Sequence, residues 1–443
     1  MEIVRKNYNH LVSSLSKKTI IDGRFFVLIA LIIYFSLIFI SSFFTKYYEF
    51  WRYLRVPTMF PAFADMRVIT SGFECYRLGY EVLVENPCDP WHRPTNYPRI
   101  WMAFAPLGLD QSHTILLGIF FALLFFIMVF LIIRHLNYSE ALIYSIALCS
   151  PSVMLAVERG NNDLIIFAIL SISLLLINKQ KPFWRLVSYS AILLAAILKL
   201  YPIFAFTVIC KEKKKHAYIL ASFIAGCFGI YVLSALKDIK LISTATEKSN
   251  IWSYGYKIIF SLFFRDLEKV LTSNVVNHNN LLFVHAYKSM LFICLALLIF
   301  FLIYNLAKVV IKTQFRIIDS FTPQDDNFLE AFRIGSSIYI GTFFLGNNWC
   351  YRLVFILFTM PQILYWTKCN VNLRLISVLS IIGILLTLWL KTSMNPYIIY
   401  LSQVIDWLLF VYFCYTLLLT LPDWLKSAFS FHISWNASSL HKK

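Results

Sequence analysis

The sequence predicts an all-α, polytopic membrane protein, on three observations. Hydrophobic residues make up 59% of the 443 and charged residues only 14%, against roughly 45–50% and about 25% in soluble domains. Runs such as FFVLIALIIYFSLIFISSF (25–43) and TILLGIFFALLFFIMVFLII (114–133) reach the ~20 residues that cross a bilayer. Basic residues gather in short stretches between such runs, as they do in cytoplasmic loops. In lipid the backbone must satisfy itself, which selects helices.

The net charge is +17, from 40 Lys and Arg against 23 Asp and Glu. No basic module accompanies it, so nucleic acid is not an expected partner. The cations flank the spans, where they fix topology and meet anionic head groups. The first run is too long for a signal-peptide core, and FISSFFTKYYEFW has no small-x-small cleavage site. It reads as an uncleaved anchor.

Arg5, Lys6, Lys17, Lys18 and Arg24 precede that anchor, which puts the N-terminus inside. About ten spans are then expected, at 25–43, 114–133, 139–157, 162–178, 217–236, 281–305, 330–345, 351–367, 374–391 and 399–420. Their inner loops hold Arg134, Lys179, Lys181 and Arg185, then KEKKK (211–215), Lys308, Lys312 and Arg316, and finally Lys368 and Arg374. The tail 421–443, with Lys426, Lys442 and Lys443, is also inside.

Residues 186–210 have basic flanks at both ends, and about 25 residues at 1.5 Å each are too few for two crossings. A re-entrant hairpin with its tip at Lys199–Pro202 fits this, and a single kinked span is the alternative. Two long outer loops remain, 44–113 and 237–280. Without repeats or low-complexity tracts, 1–443 reads as one integral membrane domain.

Of nine cysteines, six lie in or beside apolar runs, and Cys75, Cys88 and Cys350 fall in outer loops. A Cys75–Cys88 disulfide is open to an oxidising compartment. No CxxC or HExxH pattern points to a metal.

Five polar clusters share the outer face: ADMR (64–67), NPCDPWHRPTNYPRIW (86–101), ERGNND (158–163), KLYP (199–202) and GNNWCYR (346–352). A cavity at the outer leaflet accounts for their common depth. In the first outer loop Ile69, Phe73, Tyr76, Tyr80 and Leu83 form one helical stripe, opened by Asp65. This predicts a helix lying in the interface, with Arg67 and Glu74 towards water.

Taken singly, several of these residues have plain structural readings. Asp65 suits an N-cap, Glu158 and Arg159 a mutual pair, Asn161 or Asp163 a cap for the next helix, and Arg352 a head-group anchor. Lys199 is harder to dismiss, because a lysine inside AILLAAILKLYPIFAF is expensive in lipid. Asp406 ranks lower, since sliding its span to 402–421 brings it within about a turn of the outer interface. Together, one acid with several cations and amides suits a lipid-linked phosphate substrate. Arginine binds phosphate oxygens bidentately, lysine acts as a point charge, and the acid is available as a general base.

The order of these pieces resembles the GT-C superfamily of membrane glycosyltransferases, and more narrowly glycosyltransferase family 87, the polyprenyl-phosphate-sugar-dependent mannosyltransferase-like group. The resemblance rests on Asp65 with YRLGY (76–80), NYPRIW (96–101), ERGNNDLIIFAIL, ILKLYPIFA and GNNWCYRLVFIL. It implies a GT-C-like bundle that transfers a hexose from a polyprenyl-phosphate-linked donor to a glycan or glycolipid acceptor. Transfer would occur at the outer face of a bacterial inner membrane, with inversion.

By this resemblance Asp65 is the catalytic base. Lys199 and Arg352 hold the departing phosphate, with Arg159 a third candidate. Asn161, Asn162, Asn347 and Asn348 bond sugar hydroxyls, and Tyr97, Trp101 or Trp252 stack on the sugar. Tyr201, at the hairpin tip, joins the substrate-binding set. Many GT-C members carry an acidic pair where this chain has Asp65 beside Met66, so no metal and no cofactor is expected.

Two alternatives come from other classes. A lipid-linked sugar flippase or transporter would place ionisable groups near the midplane, within repeated halves. An O-antigen-type polymerase or ligase would carry its main outer loop late in the chain.

Overall fold

The structure is a computed structural model, and it describes residues 22–274, 326–369 and 371–426. The expected span 281–305 lies outside the described residues. The α-helices are α1 (Arg24–Ser41), α2 (Tyr47–Tyr53), α3 (Ala64–Arg77), α4 (Thr114–Ile132), α5 (Tyr138–Leu148), α6 (Pro151–Arg159), α7 (Asp163–Ile177) and α8 (Pro182–Lys199). They continue with α9 (Lys214–Ser234), α10 (Leu236–Ala245), α11 (Tyr256–Asn274), α12 (Asp326–Leu345), α13 (Met360–Cys369), α14 (Val371–Leu390) and α15 (Pro396–Leu419). Long 3-10 stretches occupy Arg99–Leu107, Tyr201–Lys211 and Cys350–Thr359. Two short strands, β1 (Ser253–Tyr254) and β2 (Asn348–Trp349), pair antiparallel.

Among the described residues seven helices are long and apolar enough to cross a membrane, or eight if α5 and α6, bent by 52°, form one span. The chain is a multi-pass membrane protein, but the ten expected spans are not all present as such. The expected 162–178 is α7, whose 15 residues reach only ~22 Å. The expected 351–367 breaks into the 3-10 stretch Cys350–Thr359 followed by α13. Pro151 at the first position of α6 starts that helix afresh, which explains the bend.

The segment 186–210 contains two arms. α8 begins at Pro182, runs 18 residues to Lys199, and breaks at Leu200, whose φ is 41°. The chain then returns as a 3-10 helix. Its far end is tied back to the start of α8, because Arg185 and Tyr189 both donate to the Glu212 carboxylate at 3.1 Å. At 2.0 Å per residue the 11-residue return arm reaches ~22 Å, further than α geometry allows. This arm packs on α12: Thr207 Oγ1 donates to the Arg333 carbonyl at 3.1 Å and bonds Ser337 Oγ at 2.9 Å. A Cβ at Gly341 would collide with the Phe204 ring.

The basic loops meet at one end of the bundle. His135 bonds Asp22 at 3.0 Å, Lys368 pairs with Glu140 at 2.6 Å, and Lys211 donates to Asn178. The polar clusters around Asp65 lie at the opposite end of these helices.

The first long loop is more folded than expected. α3 ends at Arg77, so Tyr80 and Leu83 lie beyond it. It also does not lie half in water, because Val68, Thr70, Ser71 and Gly72 are buried along with Ile69 and Phe73. The reason is the chain that follows, which folds over α3 and is joined to it by the Cys75–Cys88 disulfide. Arg99 ties this layer to α10 through Asp238 and to Glu81, each at 3.0 Å.

Asp406 has a buried counter-ion that its own span does not reveal. It sits ten residues into α15, fully buried, and pairs with Lys391, while Thr387 donates to it. Lys391 directly follows the last residue of α14 and Thr387 lies in its last turn, so the pair sits at the end of that helix. Asp406→Asn should destabilise the protein by about 3–5 kcal/mol, since it leaves a buried ammonium uncompensated. The double variant Lys391→Met/Asp406→Leu should recover most of that loss, read by thermal melting in detergent.

Candidate active site

The geometry around Asp65 begins with two left-handed residues. Phe63 (φ 59°) precedes α3 and donates its backbone N–H to the Glu158 carbonyl at 3.2 Å. Gly160 (φ 55°) ends α6, and a Cβ there would lie 3.1 Å from Met66 Cβ. This close approach sets the second residue of α3 against the loop 159–162. Asp65 is therefore not the N-cap: Phe63 holds that position, with no side-chain cap. The Asp65 carboxylate instead accepts from Asn161 Nδ2 at 2.6 Å, and Arg159 Nη1 stands 4.0 Å away.

Asn161 is the joint of the cluster. While Nδ2 donates to Asp65, its Oδ1 accepts from Lys199 Nζ at 3.1 Å and from the backbone N–H of Asp163 at 2.9 Å. Lys199 also donates to Asn162 Oδ1 and pairs with Asp163. All three ammonium protons thus have protein acceptors. The lysine sits at the helix break, 5.5 Å from the centre of the Tyr97 ring and 5.9 Å from that of Tyr351.

Asp163 is the acid that the sequence reading treats only as a cap. It is fully buried and lies among Lys199, Tyr201 and Arg352. Tyr201 donates its hydroxyl to Asp163 Oδ1 at 2.6 Å, and Arg352 Nε lies 3.7 Å from Oδ2. The Arg352 guanidinium stacks 4.3 Å over the Tyr201 ring and donates through Nη1 to Asn348 Oδ1. Its Nη2 has no partner among the described residues. The β1–β2 pair holds Asn348 in place, with Gln403 Nε2 bound to the Ser253 carbonyl at 2.9 Å.

Other expected site residues are more peripheral. Arg159 turns to the loop before α3, with Nη2 3.3 Å from the Pro57 carbonyl and Nε 3.5 Å from Glu158. It shares Asp65 with the cluster but not the Lys199–Arg352 end. Asn347 donates to the Ser249 carbonyl at 3.0 Å, away from Asp65. Trp101 donates to the Leu198 carbonyl at 3.1 Å, satisfying the frayed end of α8, and Trp252 packs on Trp349. Tyr97 is buried beside Lys199, and burial, then the nearby Asp65 charge, push its phenol well above the ordinary value. Among the described residues no group of three His, Cys, Asp or Glu side chains is placed to hold a metal.

Comparison with known families gives one match. Residues 97–309 match glycosyltransferase family 87. Over that stretch, just under half of the chain, the sequence is similar to this family of glycosyltransferases. The matched stretch carries Tyr97, Arg159, Asn161, Asn162, Lys199 and Tyr201, whereas Asp65, Asn347, Asn348 and Arg352 lie outside it. Comparison with curated proteins and with solved structures finds no match.

Proposed function

We propose that the enzyme transfers a hexose from a polyprenyl-phosphate donor to a hydroxyl of a glycan or glycolipid, with inversion, at the outer face of a bacterial inner membrane. The observation that carries this reading is the single amide of Asn161, which joins the Asp65 carboxylate to the Lys199 ammonium. A base for the incoming hydroxyl and a positive site for a departing phosphate are thereby held side by side.

In this reaction the acceptor oxygen bonds to C1 of the sugar as the bond from C1 to the phosphate oxygen breaks. Asp65 takes the hydroxyl proton, and the electron pair leaves with the phosphate. The transition state has oxocarbenium character, so charge grows on the leaving group. Arg352 is suited to meet it, with Nη2 open and its plane fixed by Tyr201 and Asn348. Lys199 acts through its field and by holding the 161–163 loop, because its donors are already engaged. Asp163 keeps both cations in place, and Asn162, Asn348 and Tyr97 border the same space. Tyr201 supports this set from beneath Arg352. Asn347 and Arg159 belong to the margin of the site.

The test is incubation of membranes with labelled polyprenyl-phosphate sugars. The expected result is label on a new glycosidic product. Movement of intact donor across the bilayer without such a product would replace this reading by a flippase.

A further inference from the structure

A second recess at the Asp65 end, with two arginines on its lining, is not used by the chemistry above. It is a groove of about 760 Å³ lined by Tyr48, Arg52, Arg55, Phe60, Trp252 and Thr392, among others. Arg52 and Arg55 are exposed, and neither pairs with a carboxylate among the described residues. Arg52 lies 5.9 Å from the centre of the Tyr48 ring. Two of the lining residues hold left-handed backbone, Arg55 at φ 59° and Trp252 at φ 40°. Glycine would occupy either position at less cost, and such strain recurs at ligand clamps.

Two lining residues also carry buried polar atoms without partners. Thr392 is only 5% exposed, yet its Oγ1 has no hydrogen-bond partner, and the same is true of Trp252 Nε1. Buried polar groups are rarely left this way without a ligand or water to meet them. Two exposed guanidinium groups without carboxylate partners among the described residues fit an anion rich in acceptor oxygens.

The groove is joined to the base. Its lining residue Pro57 receives Arg159 through its carbonyl at 3.3 Å, the adjoining Met59 Sδ lies 2.7 Å from Arg159, and Arg159 stands 4.0 Å from Asp65. Arg352 lies at the other end of the chain of contacts that runs from Asp65 through Asn161 and Lys199. Asp65 thus stands between two cationic sites.

We propose that this groove is the acceptor cleft, and that Arg52 and Arg55 bind a phosphate or phosphodiester carried by a lipid-linked acceptor. This rests on the reading of Asp65 as base. The acceptor is then an anionic glycolipid, entering from the Arg159 side, and not a neutral glycan.

Two measurements on the full chain test this. In phosphatidylcholine nanodiscs, photoactivatable phosphatidylglycerol should label residues 48–60 and 392–394, and a matched diacylglycerol probe should not. Arg52→Ala/Arg55→Ala should lower that labelling by about tenfold or more. Arg52→Lys/Arg55→Lys should retain much of it, and Asp65→Asn and Arg352→Ala should leave it unchanged. Labelling that ignores the phosphate, survives the double alanine variant, or falls with Arg352→Ala overturns the proposal.

In native membranes given labelled donor, the glycosylated product, once separated from donor, should be retained on an anion exchanger. A neutral product overturns the cleft assignment while leaving Asp65 as base. Absence of any product overturns both readings as enzymology, and the lipid-labelling arm still reports whether the arginines bind a phosphate.

Discussion

Asp65→Asn should lower sugar transfer by about 10²–10⁴-fold, the range contributed by a positioned general base. The substitution keeps the side chain's shape, and the new amide oxygen can still accept from Asn161 Nδ2, which lies 2.6 Å from the carboxylate. Membrane insertion and melting temperature should therefore stay near those of the parent. The assay is label transfer from a polyprenyl-phosphate sugar, run beside a thermal melt of the same preparation. Full activity in the variant would remove Asp65 from the reaction. Loss of activity together with loss of folding would instead assign it to the packing of α3 on the 159–162 loop.

Arg352→Ala should cost about 10²–10³-fold in kcat, comparable to removing one stabilising donor from a developing anion. The loss should fall mainly on kcat, with KM for the donor little changed, because the charge being met grows only as the phosphate departs. Arg352→Lys should recover only part of the rate. A lysine restores the charge but not the planar fork that lies 4.3 Å over Tyr201 and donates to Asn348. Lys199→Met is the contrasting variant, since Lys199 already donates to Asn161 and Asn162 and pairs with Asp163. Its loss should lower the melting temperature as well as the rate. Equal kcat in the parent and Arg352→Ala would exclude Arg352 from the leaving-group site.

The sequence made the membrane class and the shared end of the polar clusters legible, for physical reasons that differ from residue to residue. Lys199 was conspicuous because an ammonium in an apolar run demands a partner. That demand is met by 161–163, a stretch that is itself polar and enters a span. Asp163 was not legible as the partner. An acid at the first position of a helix is what the helix dipole favours anyway, so its type and position carried no surplus signal. The same ambiguity left a cap as the plain reading of Asp65 taken singly, and only the left-handed Phe63 shows that the cap position is already taken. Span counting failed where the backbone is not α-helical, because apolar composition does not reveal the rise per residue. The pairing of Asp406 was not legible, because nothing local in sequence reveals Lys391 as its counter-ion.

The 3-10 return arm has a consequence for how the cations are spaced. In a 3-10 helix residues three apart stand in single file, ~6 Å from one to the next. In an α-helix residues four apart repeat at the same ~6 Å. Phe204 meets Gly341, and Thr207, three residues on, meets Ser337, four residues back. The two elements thus engage like toothed racks of equal pitch, and they slip only by whole teeth. Lys199 stands just above one rack, and Arg352 follows seven residues after the end of the other. This meshing, away from the site itself, thus adds to the contacts at Asp163 and Tyr201 in fixing the height of one cation relative to the other.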